Sequence, residues 1–264
     1  MEVKELIEKS IIDFKNKIEI FEDPNFIFIE DSHKYTYDDI NFESVTTFIK
    51  NFKEEFDKEY WSKRKAAERG VDVDVVLNEW NKKGDIANEL GTKVHNWIED
   101  FWMGRNPEIP ANKGEYRNRC IKFMDIYNSS LISMVPLKSE LRVFSKKWRL
   151  AGTIDQPFLY WDEKLAKVLF LVGDWKTNKE FKDDNHPNGK WKRLLRPFRH
   201  LYANHHNEYS IQISLYRLIL EEAGIETHGG FMCHIGPEGN PKLYPVVDVR
   251  EILRSYLDQN RVYT

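Results

Sequence analysis

Cysteine is nearly absent from this chain: Cys120 and Cys233 are the only two in 264 residues, and they lie far apart. A disulfide framework, a zinc knuckle and a four-cysteine iron–sulfur cluster are thereby disfavoured, and a reducing cytoplasm is the expected compartment. Long hydrophobic runs are missing as well. No stretch approaches the roughly 20 apolar residues of a membrane span, and the charged start MEVKELIEKS does not suit a signal peptide. Charge of one sign is also scarce. Forty Lys and Arg against 43 Asp and Glu leave a net charge of −3, so any nucleic-acid role must rest on local patterning. Neither an internal repeat nor a low-complexity tract is present. What remains is 41% hydrophobic, enough for one large core with a helical appendage.

Periodicity divides the chain into elements. Val3, Leu6, Ile7, Ile11, Phe14 and Ile18 recur at helical spacing. Phe26 to Ile29 and Tyr35 to Tyr37 read as a short hairpin, and Ser44 as the cap of a helix start. From Phe52 to Trp102 the pattern is helical and highly charged, with breaks expected at Gly70 and Gly84. Gly104 to Gly114, holding Pro107 and Pro110, reads as a loop, and Arg117 to Tyr127 as a helix. Strand character follows at Glu140 to Phe144, Gly152 to Tyr160 and Val168 to Lys176. A helix from Tyr209 to Ala223 ends at Gly224, then come a strand from Gly230 to His234 and a helix from Val247 to Leu257. The expected organisation is a helical and hairpin portion, residues 1–89, packed on a core of residues 90–264.

The chemistry concentrates between Ala151 and Thr177, AGTIDQPFLYWDEKLAKVLFLVGDWKT. In a strand, residues i and i+2 share a face, so Asp174 and Lys176 point one way and Trp175 the other. A hairpin turning around Asp162 to Lys164 brings Asp155 to the same patch. Two carboxylates and an ammonium converging beside apolar residues are costly unless something binds there. A hard divalent cation with oxygen ligands resolves the repulsion. Upstream, His95 and Glu99 stand four residues apart on one helix face, and a neutral imidazole is a good further ligand. Taken alone, His95 reads first as an ordinary helix histidine, and Glu99 equally as a surface or salt-bridging acid or as a site residue. Glu140 either supports the site or pairs with Arg142 or Lys138. Gln212 and Tyr216 share a helix face and on spacing alone form the polar edge of an amphipathic helix. Between hairpin and helix runs a segment without acids, holding Lys190, Trp191, Lys192, Arg193, Arg196 and Arg199, with Phe198 and Tyr202 interleaved. Cations neutralise phosphates and exposed aromatic faces stack on unpaired bases, so this segment is the expected nucleic-acid contact.

In this order the segments resemble the PD-(D/E)XK nuclease superfamily, in its RecB-like exonuclease branch. LGTKVH is similar to the family's helix-histidine motif, SELRVF to its acidic strand, GTID and GDWKT to its two aspartate motifs, and YSIQISLY to its trailing Gln-x-x-x-Tyr helix. HKYTYDDINFESVTTFI is similar to phage and mitochondrial genome-maintenance exonucleases, so the resemblance runs from about residue 33 to 235. It implies an α/β, restriction-endonuclease-like core with a mixed central sheet flanked by helices, plus a helical N-terminal portion. His95, Asp155, Asp174 and the backbone carbonyl of Trp175 would hold Mg²⁺ or Mn²⁺, and Lys176 would position or activate water. Glu140 matches a supporting acid, and Gln212 and Tyr216 the accessory motif. The absence of the iron–sulfur cysteines argues against the members that carry such a cluster, and no proline precedes Asp155. The implied activity is metal-dependent exonucleolytic cleavage of single-stranded DNA or DNA ends in replication, repair or recombination. A catalytically silent nucleic-acid-binding accessory protein and an endonuclease of the same fold are the alternatives. DNA is the expected partner, the choice between working alone, as a ring, or beside a helicase, recombinase or single-strand-binding protein stays open, and the cytoplasm, a phage's host included, is the expected location.

Overall fold

The structure, a computed structural model, describes residues 2–32, 34–181 and 192–263. Lys190 and Trp191 of the basic segment lie outside the described residues. The chain opens with α1 (Val3–Ile18), then forms β1 (Phe26–Ile29), β2 (Lys34–Tyr37) and β3 (Ile40–Ser44). Ser44 caps α2 (Val45–Ile49), its hydroxyl accepting from the Thr47 amide. Next come α3 (Lys58–Arg69) and α4 (Val73–Trp102). Gly70, at φ 65°, ends α3 in the left-handed conformation that glycine adopts without strain. Gly84 breaks nothing: α4 runs unbroken for 30 residues. A single exposed glycine costs a helix about 1 kcal/mol relative to alanine, too little to stop one this long.

After α5 (Glu115–Ile126) and β4 (Val135–Pro136), the chain forms β5 (Leu141–Ser145), β6 (Leu150–Ile154), β7 (Gln156–Asp162) and β8 (Lys167–Lys176). It ends with α6 (His205–Glu222), β9 (Gly229–His234), β10 (Lys242–Pro245) and α7 (Arg250–Asn260). The fold is α/β, with mixed sheets flanked by helices and a helical N-terminal portion, as the sequence predicts. The strand expected from Gly152 to Tyr160 is divided at Asp155. Its first half joins a sheet ordered β1-β2-β3-β6-β5, and its second half one ordered β10-β9-β8-β7-β4. β3 runs parallel to β6 and β8 parallel to β9, while the other neighbours are antiparallel. Gln156, wholly buried, fastens the corner, its amide donating to the carbonyls of Leu137 and Pro157. Residues 1–89 build into this frame through β3, and residue 89 lies inside α4.

Apolar residues fill both faces of the second sheet. Phe170 and Val172 of β8 join a core shared with α1, α2, α6 and α7, whereas Trp175 packs with Val94, Trp97 and Phe123 of α4 and α5. α6 is buried on all sides from Ser210 to Leu220, so Gln212 and Tyr216 lie inside the protein instead of along a polar edge. Both cysteines are buried, and burial pushes the Cys120 thiol up to about 12, which leaves it unreactive. Among the described residues, no helix is long and apolar enough to cross a membrane.

Candidate metal centre

The antiparallel register of β5 and β6 pairs Leu141 with Ile154, which sets Glu140 opposite Asp155 at the corner between the sheets. The Glu140 amide donates to the Asp155 carbonyl at 3.0 Å. Glu140 holds φ at 48°, a left-handed conformation that costs a non-glycine residue about 1 kcal/mol. The β7–β8 hairpin forms around the expected turn, where the Asp162 carboxylate accepts from the Lys164 and Leu165 amides. It carries Trp175 back to the corner, and the Trp175 amide donates to Asp155 Oδ2 at 2.7 Å.

α4 supplies the third group. His95 Nδ1 stands 3.5 Å from Asp155 Oδ2. Gly91, one turn earlier, is where α4 meets the end of β8, since a Cβ there would lie 3.1 Å from Thr177 Oγ1. The result is one imidazole nitrogen and two carboxylates, from His95, Glu140 and Asp155, whose ligand atoms lie within 4.8 Å of one another. They line an open cleft of about 590 Å³ together with Glu99, Asn96 and Arg142.

Asp174 and Lys176 form a second, linked group. Asp174 is 2% exposed, and its Oδ2 lies 2.6 Å from Lys176 Nζ. Lys176 Nζ also donates to Gln212 Oε1 at 3.3 Å and sits 4.2 Å from the centroid of the Tyr209 ring. Gln212 Nε2 in turn donates to Tyr216 Oη at 3.2 Å. Room for that tyrosine comes from Gly152, where a Cβ would meet Tyr216 Cε1 at 2.6 Å. Gly152→Ala is therefore expected to force the ring or β6 to move and to destabilise the protein by about 1–3 kcal/mol, read from thermal melts. An unchanged melting temperature would contradict this packing.

The electrostatics of the two groups are unbalanced. Crowding by protein on one side, and the negative charges of Asp155, Glu99 and Asp174, push the Glu140 carboxyl up to about 8, although its outer edge faces solvent. Burial pushes Asp174 up to about 7 against the pull of Lys176. Burial also works against the Lys176 charge, but Asp174 and Asp155 outweigh it and hold the ammonium above its usual range. The pair thus keeps its proton. A divalent cation beside Glu140 and Asp155 would offset the mutual repulsion of these carboxylates. The donor set of one imidazole and carboxylate oxygens fits Mg²⁺ or Mn²⁺.

No family model matches the chain, and no curated protein is found to be similar to it. The site therefore stands on its own geometry. Of the residues expected to bind metal, His95 and Asp155 converge, and Glu140 joins them as a full member. Asp174 lies outside this trio, against Lys176. Trp175 meets the site through its amide on Asp155. Tyr209, which the sequence reading passed over, stands one turn before Gln212 on α6 and was legible from that spacing alone.

The basic segment behaves differently from its expectation. Phe198 is buried against Phe52, ring centroids 4.9 Å apart, and cannot stack on a base. Arg193 covers the Tyr202 ring at 3.7 Å and donates to the His200 carbonyl, while Lys192 pairs with Glu54. Arg196 and Arg199 are exposed.

Proposed function

We propose that this protein is a Mg²⁺- or Mn²⁺-dependent nuclease that hydrolyses phosphodiester bonds in DNA, at ends or on single strands. One observation carries the reading: the convergence of His95, Glu140 and Asp155 in an open cleft, with the Asp174–Lys176 pair adjoining them through the Asp155–Trp175 hydrogen bond. The resemblance to PD-(D/E)XK nucleases, motif by motif, supports it.

His95, Glu140 and Asp155 would hold the cation. When bound, it supplies positive charge to the scissile phosphate and acidifies water. The chain's own residues do the rest. Lys176, kept protonated by its carboxylate neighbours, orients the attacking water and neutralises charge developing on the phosphate oxygens, and does not itself take a proton. Gln212 fixes the ammonium by its amide oxygen, and Tyr216 fixes Gln212. Asp174, out of solvent, holds Lys176 in place.

The test is a time course on end-labelled single- and double-stranded DNA with Mg²⁺ or Mn²⁺. The wild type is expected to cleave, and Asp174→Ala and Lys176→Ala to leave the label intact. Cleavage by either purified variant at the wild-type rate would sink the assignment. Covalently closed circular DNA separates the modes of attack, because an enzyme that needs an end leaves it whole.

A further inference from the structure

Among the described residues, Arg142 is the one arginine or lysine that lines the cleft of His95, Glu140 and Asp155, and it pairs with none of the cleft's acids. It is exposed, and its five N–H donors meet no acceptor among the described residues. Its contact is with Phe28 of β1, whose ring centroid lies 4.8 Å from the guanidinium carbon. An aromatic ring thus holds the cation in the cleft without using the donors that would bind a ligand.

The register of β5 and β6 sets Arg142 opposite Thr153. That pair stands two residues along from the Glu140–Asp155 step, a rise of about 7 Å. Thr153 lines the same cleft, and its Oγ1 lies 3.1 Å from the Oη of the buried Tyr35. Tyr35 and Phe28 face each other across β1 and β2, their ring centroids 4.7 Å apart. The first hairpin therefore steadies both Arg142 and Thr153, and the N-terminal portion walls the site.

Carboxylates line the cleft as well. A divalent cation on the trio offsets Glu140 and Asp155, and Arg105 stands 3.7 Å from Glu99, which leaves the exposed Glu30 against Arg142. With the ion in place, a phosphate meets a free guanidinium with a hydroxyl beside it, a donor set suited to phosphate oxygens. A lone carboxylate would satisfy Arg142 too. A phosphodiester chain repeats its anions along one strand, so one can sit on the cation while its neighbour reaches Arg142.

We propose that Arg142 and Thr153 form a second phosphate site, which holds the phosphate next to the scissile one and sets the register of the strand on the cation. This rests on the nuclease reading of the trio. Phe28 and Tyr35 act through the two as positioning residues.

The experiment titrates fluorescein-labelled dT₂₀ into the full chain in Ca²⁺, a hard cation of slacker geometry used in place of Mg²⁺ to hold the strand uncleaved. Arg142→Gln is expected to weaken binding about tenfold. It should also flatten the slope of log affinity against log salt by about 0.7, the share of one phosphate on a single strand. Arg142→Lys, which keeps the charge but not the fork, should keep the slope and lose about threefold in affinity. Lys164→Gln removes an exposed charge in the β7–β8 turn and should change neither. Calorimetry with Mn²⁺ reads the trio separately, and Arg142→Gln should not lower that affinity, because it removes positive charge near Glu140. Wild-type dT₂₀ affinity in Arg142→Gln, or weakened binding at an unchanged salt slope, would overturn the second site. So would a wild type that does not bind dT₂₀. Mn²⁺ uptake alongside any of these results would leave the metal centre standing. A wild type that takes up no Mn²⁺ while Arg142→Gln still flattens the slope would remove the nuclease reading and leave a phosphate site.

Discussion

Asp155→Asn is expected to slow Mg²⁺-dependent cleavage by about three orders of magnitude, equivalent to about 4 kcal/mol, while leaving the fold intact. The substitution keeps an oxygen to accept the Trp175 amide, so the corner between the sheets retains its hydrogen bond. It removes the charge that His95 and Glu140 share, and with it the trio's hold on a cation. Calorimetry should find Mn²⁺ bound by the wild type and not by the variant. Cation affinity should also depend on pH, with a definite sign. Glu140 keeps its proton up to about 8, and a cation bound by the trio must displace it, so affinity rises as pH rises toward 8. For the cation-free protein the sign reverses. Folded-state values of Glu140 and Asp174 above those of the unfolded chain mean that the folded protein binds more protons. Their contribution to stability is complete below about pH 4 and is lost as pH rises through 7 to 8. Melts at pH 6 and pH 8.5 should show this decline, and saturating Mn²⁺ should remove the part that Glu140 contributes. A Mn²⁺ affinity that does not change between these pH values would contradict the carboxylate assignment.

The hairpin that holds Asp174 and Lys176 was legible in the sequence because period-two alternation and turn chemistry are local. Asp162 and the residues after it close the turn with hydrogen bonds spanning two or three positions, and the strands on either side simply follow. The helical spacing of His95, and of Gln212 with Tyr216, was local too. What was hidden depends on contacts distant in sequence. The division of one apparent strand at Asp155 follows from β6 pairing with β3, more than a hundred residues earlier, and from β7 pairing with β8. The left-handed turn of Glu140, which aims its carboxylate at the cleft, is imposed by the β5–β6 register on a residue type with no preference for it. α6 read as amphipathic because its polar residues are real, yet Gln212 and Tyr216 satisfy each other inside the core. The aromatic residues of the basic segment misled for the same reason. A phenylalanine next to arginines reads as a stacking face, but Phe198 is used by the core against Phe52.

Arg119→Met is expected to be the most damaging single change to stability outside the apolar core. Arg119 on α5 is 2% exposed, and its guanidinium donates to the carbonyl of Thr177 at 2.7 Å and to that of Ile235. Those carbonyls lie just past the ends of the parallel strands β8 and β9, tied to each other by the Ile235 amide on the Lys176 carbonyl at 2.8 Å. Lys122, one turn along α5, takes the next two carbonyls, Gly236 and Pro237. α5 thus satisfies the oxygens that the two strands leave unpaired where they stop. Methionine fills much of the same volume but donates nothing. Two buried carbonyls without donors cost about 3 kcal/mol together, and for a chain of this size that lowers the melting temperature by about 6–12 °C. Lysine at position 119 should recover only part of the loss, because one ammonium cannot reproduce the geometry of the guanidinium fork. The effect should also reach the site. Thr177 follows Lys176 directly, so freeing its carbonyl loosens the strand end that aims the ammonium. At a temperature where Arg119→Lys remains folded, cleavage should fall while Mn²⁺ affinity, which depends on the corner at Asp155, stays at the wild-type value. A variant that melts within 2 °C of wild type would show that the clamp contributes nothing to stability, and parallel losses of Mn²⁺ affinity and cleavage would show that it acts on the whole site and not on Lys176.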